Sequence, residues 1–373
     1  MRQHVHRHGV ASATNGTILP RMSWIDRVVG LLSLDLGIDL GTANTLVAVK
    51  GRGVVISEPS VVAVKKGTKQ VIDGPTGLAV GDQAKVMLGK SPGNIDVIKP
   101  LKDGVIADLE ITEHMLRYFI RKASGGRRIV PPRVVVAVPS GINEVEKGAV
   151  TNSTRKAGAR EVFLLQEPMA AAIGAGLPVA DPVGSMIVDI GGGTTEVAVI
   201  SMVGIVTSES VRCAGDEIDQ AIIKYLKSQY SVVIGENTSE QVKLQIGAAV
   251  APSDELRMMI KGRDLRTGLP HQFEITSTEI AEAIRPQVQT ILGAIKMVLE
   301  RTAPELASDL IERGITMAGG TSQLRGLADL IARETRLPVY VANDPMTCVA
   351  RGCAALLDDL DSLKQILEAG VQQ

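Results

Sequence analysis

The chain has 373 residues, more than one ordinary domain core holds, and its formal net charge is −1. With aromatic residues at only 2%, it lacks both the basic surplus and the stacking surfaces that non-specific nucleic-acid binding needs. Its three cysteines, Cys213, Cys348 and Cys353, have no CxxC or zinc-site spacing, so we expect a reduced, cytosolic protein. Because no apolar run reaches roughly 18 residues and the N-terminus lacks a signal-peptide layout, we expect neither a membrane-spanning helix nor a signal peptide.

The first 33 residues differ from the rest of the chain and predict a tail followed by an amphipathic helix. His4, His6 and His8 alternate near the start, which favours a disordered tail over a metal site. Residues 23–32 place apolar side chains on one face of a helix, namely Trp24, Ile25, Val28, Val29, Leu31 and Leu32. That face can pack on the domain surface or lie in a membrane interface, and the sequence leaves both interpretations open.

From Leu36 onward, strand-like and helix-like segments alternate, which predicts an α/β architecture. The predicted strands are Gly37–Leu40, Leu46–Val49, Ser60–Val64, Val134–Val138, Met186–Ile190 and Val197–Ile200. The predicted helices are Glu113–Lys122, Glu144–Ala157, Pro168–Ala175, Asp219–Tyr230, Ser277–Arg301 and Leu324–Thr335. No low-complexity linker interrupts this part of the chain, so we expect its parts to pack closely.

An internal repeat relates two segments that lie 150 positions apart. Asp39–Val49 reads DLGTANTLVAV and Asp189–Val199 reads DIGGGTTEVAV, with six identical residues among eleven. Self-similarity of this density indicates duplicated structural units. Each copy predicts a hairpin, because an apolar strand that ends in Asp is followed by a turn of small residues and a second apolar strand.

The turns of the two hairpins have the composition of a phosphate-binding site. Small residues let the backbone approach a ligand, and exposed N–H groups form an anion-binding nest. Two such turns that face each other would hold a phosphate chain from both sides. Asp39 and Asp189 would repel the phosphates unless a cation lay between them, so Mg²⁺ is predicted. Two ordinary tight turns would explain the small residues, but not why the same Asp recurs.

The two hairpin segments resemble the phosphate loops of the actin, DnaK-type chaperone and sugar-kinase superfamily; they read GIDLGTANTLVAV (Gly37–Val49) and VDIGGGTTEVAVIS (Val188–Ser201). Further segments are similar to the MreB family of bacterial actin-like proteins, namely EPSVVAV (Glu58–Val64), KPLKDGVIAD (Lys99–Asp108), QEPMAAAIGAGLPV (Gln166–Val179), AGDEIDQAI (Ala214–Ile222), PELASDLIERGI (Pro304–Ile315) and DPMTCVARG (Asp344–Gly352). The similarity covers nearly the whole chain, and its segments occur in the order of the family.

The resemblance implies an α/β, actin-like duplicated ATPase fold with two lobes, or four subdomains, around a nucleotide cleft. Residues 34–180 would form lobe I, with an outer subdomain at about 60–100. Residues 181–345 would form lobe II, with an outer subdomain at about 215–275. Residues 346–373 would be a C-terminal segment that returns to lobe I.

The resemblance also implies roles for individual residues. Asp39 and Asp189 would hold Mg²⁺ mainly through water, and Glu167 would orient the water that attacks ATP. The alternative is that Glu167 only caps the helix that starts near Pro168. Phosphate contacts are implied for Thr42, Ala43, Asn44, Gly191, Gly192, Gly193 and Thr194. Contacts to ribose and base, and the floor of the adenosine pocket, are implied for Gly215, Asp216, Glu240, Lys243, Gly319, Gly320, Thr321 and Ser322.

Four positions depart from the family pattern, and two of them, Gln241 and Gln245, stand where charged residues are common, which bears on the base contacts. Gln166 stands where the family usually has Glu, a loss of charge that would tune hydrolysis and leaves Glu167 in place. Thr321 replaces a third Gly of the adenosine motif. Because actin has the same change, the resemblance implies that nucleotide binding survives it.

The function implied by the resemblance is that of a slow ATPase that uses ATP and Mg²⁺ and polymerises into paired filaments of this chain. The filaments would lie at the inner face of the cell membrane and act with the cell-shape and cell-wall elongation machinery. A loop at residues 127–130 pairs two arginines with Ile129 and Val130, which would suit an anionic headgroup region. An ordinary loop with a buried Ile129–Val130 pair is the alternative. Many copies along a filament would strengthen weak membrane contacts by avidity.

Other functions of the superfamily make different demands on the sequence. A small-molecule kinase needs a second-substrate site, typically with an additional base, and we find no insertion that would supply one. A chaperone needs a peptide-binding domain after the ATPase, whereas this sequence ends at Gln373. A plasmid-segregating actin-like filament would be expected to lack the amphipathic N-terminal helix and the EPMAAAIG segment. A scaffold that does not hydrolyse ATP has no need of the carboxylates at 39, 167 and 189.

Overall fold

The computed structural model describes residues 34–74, 77–125 and 130–358. Of the residues predicted to contact a membrane, Val130 is described, and it lies half-buried at a bend before a strand. The others lie outside the described residues, namely Trp24, Ile25, Val28, Leu32 and Ile129. Within the described ranges, no helix is both long and apolar enough to cross a membrane.

Strands and helices alternate along the described chain, which confirms the predicted α/β class. The strands are β1 (Leu36–Leu40), β2 (Asn44–Val49), β3 (Gly53–Pro59), β4 (Val62–Lys65), β5 (Asp73–Gly74), β6 (Gly77–Leu78), β7 (Ile95–Ile98), β8 (Leu101–Lys102), β9 (Val105–Ile106), β10 (Arg133–Val138), β11 (Glu161–Gln166), β12 (Ser185–Ile190), β13 (Thr195–Ser201), β14 (Gly204–Val211), β15 (Val232–Val233), β16 (Arg257–Asp264), β17 (Pro270–Thr276), β18 (Ile315–Ala318) and β19 (Val339–Val341). The helices are α1 (Asp82–Lys85), α2 (Leu109–Ala123), α3 (Glu144–Lys156), α4 (Glu167–Ala175), α5 (Gly215–Tyr230), α6 (Glu236–Ile246), α7 (Ser277–Ala283), α8 (Arg285–Arg301), α9 (Pro304–Arg313), α10 (Leu327–Thr335) and α11 (Cys348–Asp358).

Two five-stranded sheets of the same topology lie at the centre of the molecule. The first has the order β11–β10–β1–β2–β3, and the second has the equivalent order β19–β18–β12–β13–β14. In each sheet the central strand pairs antiparallel with the next strand of its hairpin and parallel with a later strand. Asp39 lies opposite Leu46, and Asp189 lies opposite Glu196, so the cross-strand register is also the same. The internal repeat is therefore a structural duplication.

The central strands are apolar because helices cover both faces of each sheet. All six residues of β10 (RVVVAV) and of β12 (SMIVDI) are buried, as expected for strands that have no solvent face. Helix α2 buries Met115 and Phe119 in the core of the first sheet. Helix α8 buries Ile291 and Ile295 in the core of the second.

Helices α4 and α11 lie between the two sheets and share one core with strands of both. They approach so closely that a Cβ on Gly174 would lie 1.8 Å from the carbonyl oxygen of Cys348. A Cβ on Gly352 would lie 1.9 Å from the carbonyl oxygen of Ala170. Glycine at both positions lets the helix backbones touch, and this packing holds the first residue of α4, Glu167, between the sheets.

The first half of the chain comprises β1 to α4, and the second comprises β12 to β19. Besides its sheet, each half contains a smaller group of elements, which we call an outer segment. The first outer segment, residues 60–100, includes the β4–β7 pair and α1 around a small apolar cluster. The second outer segment, residues 215–275, includes α5, α6 and the three-stranded sheet β15–β16–β17. The two outer segments belong to different halves and both contribute to the cavity described below.

Two of the predicted helices differ from the observed ones in continuity or by a late start. The helix predicted at Ser277–Arg301 is wrong in its continuity, because the chain forms α7 and α8 with a break before Pro286. Proline lacks the N–H that a continuous helix would need there. The helix predicted at Leu324–Thr335 begins only at Leu327, after Gly326 in the left-handed region with φ of +73°.

The strand predicted at Ser60–Val64 begins later than predicted, at Val62. Ser60 lies at a bend, where its Oγ–H donates to the carbonyl oxygen of Gly41 at 2.6 Å. The residue that the pattern placed in a strand therefore braces the turn of the first hairpin.

Candidate functional site

A cavity of about 1160 Å³ lies between the two halves of the chain. Both hairpin turns, the start of α4, the starts of α5 and α6, and the loop after β18 contribute to its lining. Every residue that the sequence singled out for catalysis or cofactor binding lines this cavity except Ser322. Its volume is slightly above the range typical of ligand pockets, about 300–1,000 Å³, so a nucleotide and a hydrated cation fit.

The first turn joins β1 to β2 and is held from outside by Ser60. Besides its bond to Gly41, Ser60 donates its N–H to the carbonyl oxygen of Ala43 at 3.0 Å. At the tip of the turn, the Oγ1 of Thr42 accepts a hydrogen bond from the N–H of Gly104 at 3.1 Å. These contacts hold the turn in one conformation at the edge of the cavity.

The second turn joins β12 to β13 and is tied to two other parts of the site. The carbonyl oxygen of Gly191 accepts hydrogen bonds from the N–H of Gly215 at 3.2 Å and from the Oγ1–H of Thr321 at 2.7 Å. The carbonyl oxygen of Gly192 accepts from the N–H of Asp216 at 2.7 Å. The turn is therefore fixed to the start of α5 and to the loop after β18, where the adenosine contacts were predicted.

The two turns fit together because one carries side chains where the other has glycine. A Cβ on Gly192 would lie 2.5 Å from the Cβ of Ala43, and a Cβ on Gly193 would lie 2.6 Å from the Oγ1 of Thr42. Thr42 and Ala43 are the equivalents of Gly192 and Gly193 in the other copy of the repeat. The copies have thus diverged into complementary shapes, and the phosphate-binding candidates of both halves meet.

Three carboxylates line the cavity beside these turns, of which Glu167 and Asp189 are buried and Asp39 is half-buried. Burial raises the pKa of Asp39 to about 7. Burial and the charges of Asp39 and Glu196 raise the pKa of Asp189 to about 8. The pKa of Glu167 is raised by burial and by the charges of Glu196, Asp39 and Asp189. Groups arranged in this way need either protons or a cation to balance them.

The residues present fit a hydrated Mg²⁺ ion. Mg²⁺ keeps several waters and is usually held through one or two carboxylates together with substrate phosphates. Asp39 and Asp189 supply two such carboxylates from equivalent strand ends. Among the described residues, no group of three or more His, Cys, Asp or Glu side chains is placed to chelate a metal. The two carboxylates at positions 39 and 189 suit an ion that keeps several of its waters.

Glu167 is the first residue of α4, and its place in the helix bears on the capping role considered for it. The N-cap of the helix is Gln166, whose side chain makes no capping hydrogen bond. Glu167 is therefore not the capping residue. It lines the cavity together with Asp39 and Asp189.

Glu196 is a buried carboxylate that the sequence analysis missed. It is 1% exposed and lies opposite Asp189 in the second hairpin. Its carboxylate accepts hydrogen bonds from the N–H and Oγ–H of Ser140, which belongs to the first half, and from the Oγ–H of Ser210. The repeat contained a signal for this residue, because the charged Glu196 stands where the first copy has the apolar Leu46.

Lys243 of α6 and Asp219 of α5 form an ion pair at the cavity wall, and Asp219 was also missed. The Nζ of Lys243 lies 2.7 Å from the Oδ2 of Asp219 and donates to the carbonyl oxygen of Gly215 at 2.9 Å. Burial raises the pKa of Asp219 to about 6, although the charge and hydrogen bond of Lys243 oppose this rise. Asp219 thus positions Lys243 next to the start of α5.

Like Lys243 and Thr321, two further predicted adenosine contacts have partners within the protein. Glu240 pairs across the cavity with Lys85 of the first outer segment, at 2.9 Å between Nζ and Oε2. Ser322 lies behind the loop after β18, where its Oγ–H donates to the carbonyl oxygen of Gly319 at 2.6 Å. Gly319 has a φ of +81°, and a Cβ there would lie 2.3 Å from the carbonyl oxygen of Ile190. Ser322 therefore shapes the loop, while Gly319 lets it pack against the second hairpin.

Duplicated sheets that each present a phosphate-binding turn to one shared cavity are the arrangement of actin-like nucleotide-binding proteins, and this chain has their fold. Within that class, the family model described as MreB/Mbl protein matches residues 33–365, so the chain belongs to the MreB/Mbl family.

Individual relatives agree with this assignment. The chain is 52% identical over 337 residues to the cell shape-determining protein MreB of Escherichia coli K12, covering 89% of this chain and 95% of that protein. It is 47% identical over 333 residues to the cell shape-determining protein Mbl of Bacillus subtilis 168, covering 89% and 98%. Among solved structures, it is similar to MreB5 of Spiroplasma citri bound to ADP, with 37% identity, a TM-score of 0.82, and 89% and 98% of the two chains covered. A second structure of MreB5, bound to AMPPNP, gives a TM-score of 0.81 at the same identity, with 91% and 99% covered.

Proposed function

We propose that this protein binds ATP with Mg²⁺ between its two halves, hydrolyses it slowly, and assembles into membrane-associated filaments that direct cell shape. The observation that carries the proposal is the fit of the two equivalent turns, Thr42 and Ala43 against Gly192 and Gly193, beside three carboxyl groups with raised pKa values. Two relatives, which are 52% and 47% identical to this chain, are named cell shape-determining proteins. The structure of the relative MreB5 has been solved with ADP and with AMPPNP.

The residues of the cleft divide the work between charge neutralisation and positioning. Asp39 and Asp189 would hold Mg²⁺ mainly through water, and the ion would supply neutralisation of the phosphate charge. Glu167 orients the attacking water, and orientation in line with the phosphate is sufficient without a strong base. The N–H groups of the two turns donate to phosphate oxygens. Thr42, Asn44 and Thr194 line the same surface.

The adenosine part of the nucleotide lies along the second half in this proposal. At the start of α5, Gly215 packs closely on two residues of this site, because a Cβ there would lie 2.9 Å from the Oγ1 of Thr321 and 3.2 Å from the Nζ of Lys243. Ribose and base then contact Gly215, Asp216, Glu240 and Lys243, and the loop with Gly319, Gly320 and Thr321 forms the floor.

Polymerisation follows from head-to-tail association, because a contact that does not close on itself generates a filament. Nucleotide state would act by changing how far the two halves close around the cavity. In this proposal residues 34–180 and 181–345 are the two lobes, and the segment from residue 346 onward returns to the first. The resulting filaments are paired and act with the cell-wall elongation machinery.

Attachment to an anionic membrane surface at the inner face of the cell membrane is part of the proposal. The supporting residues are the apolar face of the N-terminal segment and the loop before β10, namely Trp24, Ile25, Val28, Leu32, Ile129 and Val130. Each segment alone would give marginal binding, and a filament would multiply it by avidity.

High-speed pelleting of the purified protein with ATP and Mg²⁺, with and without anionic liposomes, tests the proposal. We expect the wild type to sediment with liposomes as an ATP-sensitive polymer and the Asp189→Ala variant not to respond to ATP. Phosphate release measured in parallel separates binding from hydrolysis. The Glu167→Gln variant should still bind nucleotide but release phosphate about 100-fold more slowly.

Other results of the pelleting experiment would support other functions of the superfamily. A protein that stays monomeric in every condition contradicts polymerisation, and ATP-dependent phosphorylation of a small hydroxyl-bearing compound would then indicate a kinase. ATP-sensitive filaments that ignore liposomes would contradict the membrane part and favour a filament of the plasmid-segregating kind.

A further inference from the structure

The two outer segments contact each other across the cavity through pairs of charged side chains. The Nζ of Lys85, at the end of α1, lies 2.9 Å from the Oε2 of Glu240. The Nζ of Lys99, just after β7, lies 2.8 Å from the Oε2 of Glu236. Both lysines belong to the first half of the chain and both glutamates to the second, so each ion pair bridges the halves.

A third contact lies on the same side of the cavity, where the Nδ2 of Asn237 donates to the carbonyl oxygen of Leu88 at 3.5 Å. All six residues of these contacts line the cavity. The three from the second half lie on the first two turns of α6. A movement of α6 away from the first outer segment would therefore break the three contacts together and widen the cavity.

The ion pairs are exposed enough to break readily. The side chains of Lys85 and Glu240 are 36% and 33% exposed, and those of Lys99 and Glu236 are 37% and 47% exposed. Ion pairs at this exposure are individually weak and are screened by salt. Burial lowers the pKa of Lys99, but its hydrogen bond to Glu236 and the charge of Asp216 outweigh this effect and raise the pKa overall. The contacts thus hold the cavity closed without locking it.

Contacts between the halves beside the hairpin turns are of a different kind. Glu196, which is 1% exposed, accepts hydrogen bonds from Ser140 of the first half. The first turn packs directly on Gly193 of the second. Buried and packed contacts of this kind are harder to separate than exposed ion pairs. Opening should therefore part the outer segments first, while the turns stay together.

We propose that Lys85 and Lys99, with Glu236, Asn237 and Glu240, form a latch that sets the rate at which nucleotide leaves the cavity. The proposal rests on the nucleotide binding proposed above and adds the means by which its release is regulated. Because Glu240 also lies where ribose is expected, the latch and the bound nucleotide share a residue.

A double-mutant cycle on the Lys99–Glu236 pair tests the latch. Dissociation of a fluorescent ADP analogue in the presence of Mg²⁺ would be followed by stopped flow for the wild type, Lys99→Met, Glu236→Gln and the double variant. We expect each single variant to release the analogue about two- to fivefold faster. The double variant should be no faster than the faster single variant, because either change alone already breaks the pair. Lys85→Met, which breaks the second pair, should accelerate release independently.

The matched control is Lys296→Met, because the Lys296–Glu334 pair has a similar length of 2.9 Å and similar exposure but lies within the second half. It should leave the dissociation rate unchanged. Raising the salt concentration from about 50 mM to about 500 mM should accelerate release from the wild type more than from the Lys99→Met/Glu236→Gln variant.

Two results would overturn the latch. One is an unchanged dissociation rate in Lys99→Met, Glu236→Gln and Lys85→Met; the other is single effects that simply multiply in the double variant. Failure of the wild type to bind the analogue at all would instead overturn the proposed nucleotide site, so the two failures are distinguishable.

Discussion

Asp39 and Asp189 lie at equivalent strand ends, and burial raises their pKa values to about 7 and about 8. A carboxyl group whose pKa is higher in the folded than in the unfolded state stabilises the fold while it is protonated. That contribution is complete below the ordinary value of 3.8 and is lost as the pH rises through the folded-state values. Without nucleotide and metal, these two groups should therefore make the free energy of unfolding fall toward pH 8.

The Asp189→Asn variant tests this linkage, because an amide cannot become charged. We expect its melting temperature, relative to that of the wild type, to rise by a few degrees between about pH 5.5 and about pH 8.5. Thermal melts without nucleotide or Mg²⁺ would measure the difference. Asp254→Asn, at an exposed position, is the control and should show no such trend. A difference that stays constant with pH would contradict the prediction.

The complementary turns make a second prediction at the residue scale. In Gly192→Ala the new Cβ would lie 2.5 Å from the Cβ of Ala43, so the turns must separate. We expect affinity for a fluorescent ADP analogue with Mg²⁺ to fall about tenfold, which corresponds to an overpacking strain of about 1–3 kcal/mol. The Ala43→Gly/Gly192→Ala variant removes the clashing carbon and should recover part of the affinity. No recovery would show that the loss has another cause than the fit of the turns.

At the scale of elements, the contact between α4 and α11 determines where Glu167 lies. In Gly352→Ala the new Cβ would lie 1.9 Å from the carbonyl oxygen of Ala170, a backbone atom that can move only with α4. We expect a loss of stability of about 1–3 kcal/mol or more. Phosphate release should fall more than nucleotide affinity, because α4 begins with Glu167. Denaturant unfolding and single-turnover hydrolysis would measure the two effects.

Gly148→Ala is the matched control for this prediction. Gly148 lies within α3, and no atom lies within 4 Å of the place where its Cβ would be. Alanine there should be neutral or should stabilise the protein by about 0.5–1 kcal/mol, because glycine is costly inside a helix. Equal melting of Gly352→Ala and the wild type would contradict the role assigned to the helix contact.

Elements with a strong local pattern could be predicted, and those set by distant partners could not. Both hairpins were predictable because the repeat and the apolar runs lie within a few residues of one another. The two-residue strands Asp73–Gly74 and Gly77–Leu78 exist only because they pair with each other, and they carry no periodicity. The break before Pro286 was signalled by the proline itself, but the helical pattern on both sides obscured it.

At the scale of the whole molecule, the same distinction applies to the site. Asp39 and Asp189 could be predicted to lie at the site because the same Asp recurs in the repeat, and the turn residues because both copies have small residues at equivalent positions. Glu196 and Asp219 could not, because their roles depend on Ser140 and Lys243, which lie 56 and 24 positions away in the chain. Contacts between the halves, including the latch pairs, arise only once both sheets have assembled around one cavity.

Closure of the two halves around nucleotide makes a prediction for the whole molecule. If ADP with Mg²⁺ binds between them, it should slow amide hydrogen exchange in both outer segments, at residues 80–100 and in α5 and α6. The central strands β1 and β12 are already buried and should change little, since their exchange requires larger opening. Exchange measured by mass spectrometry with and without the nucleotide would show this pattern, and Asp189→Ala is the control that should lose it. Protection of one half alone would mean that the ligand binds without bringing the halves together, and would count against closure as the link between nucleotide and assembly.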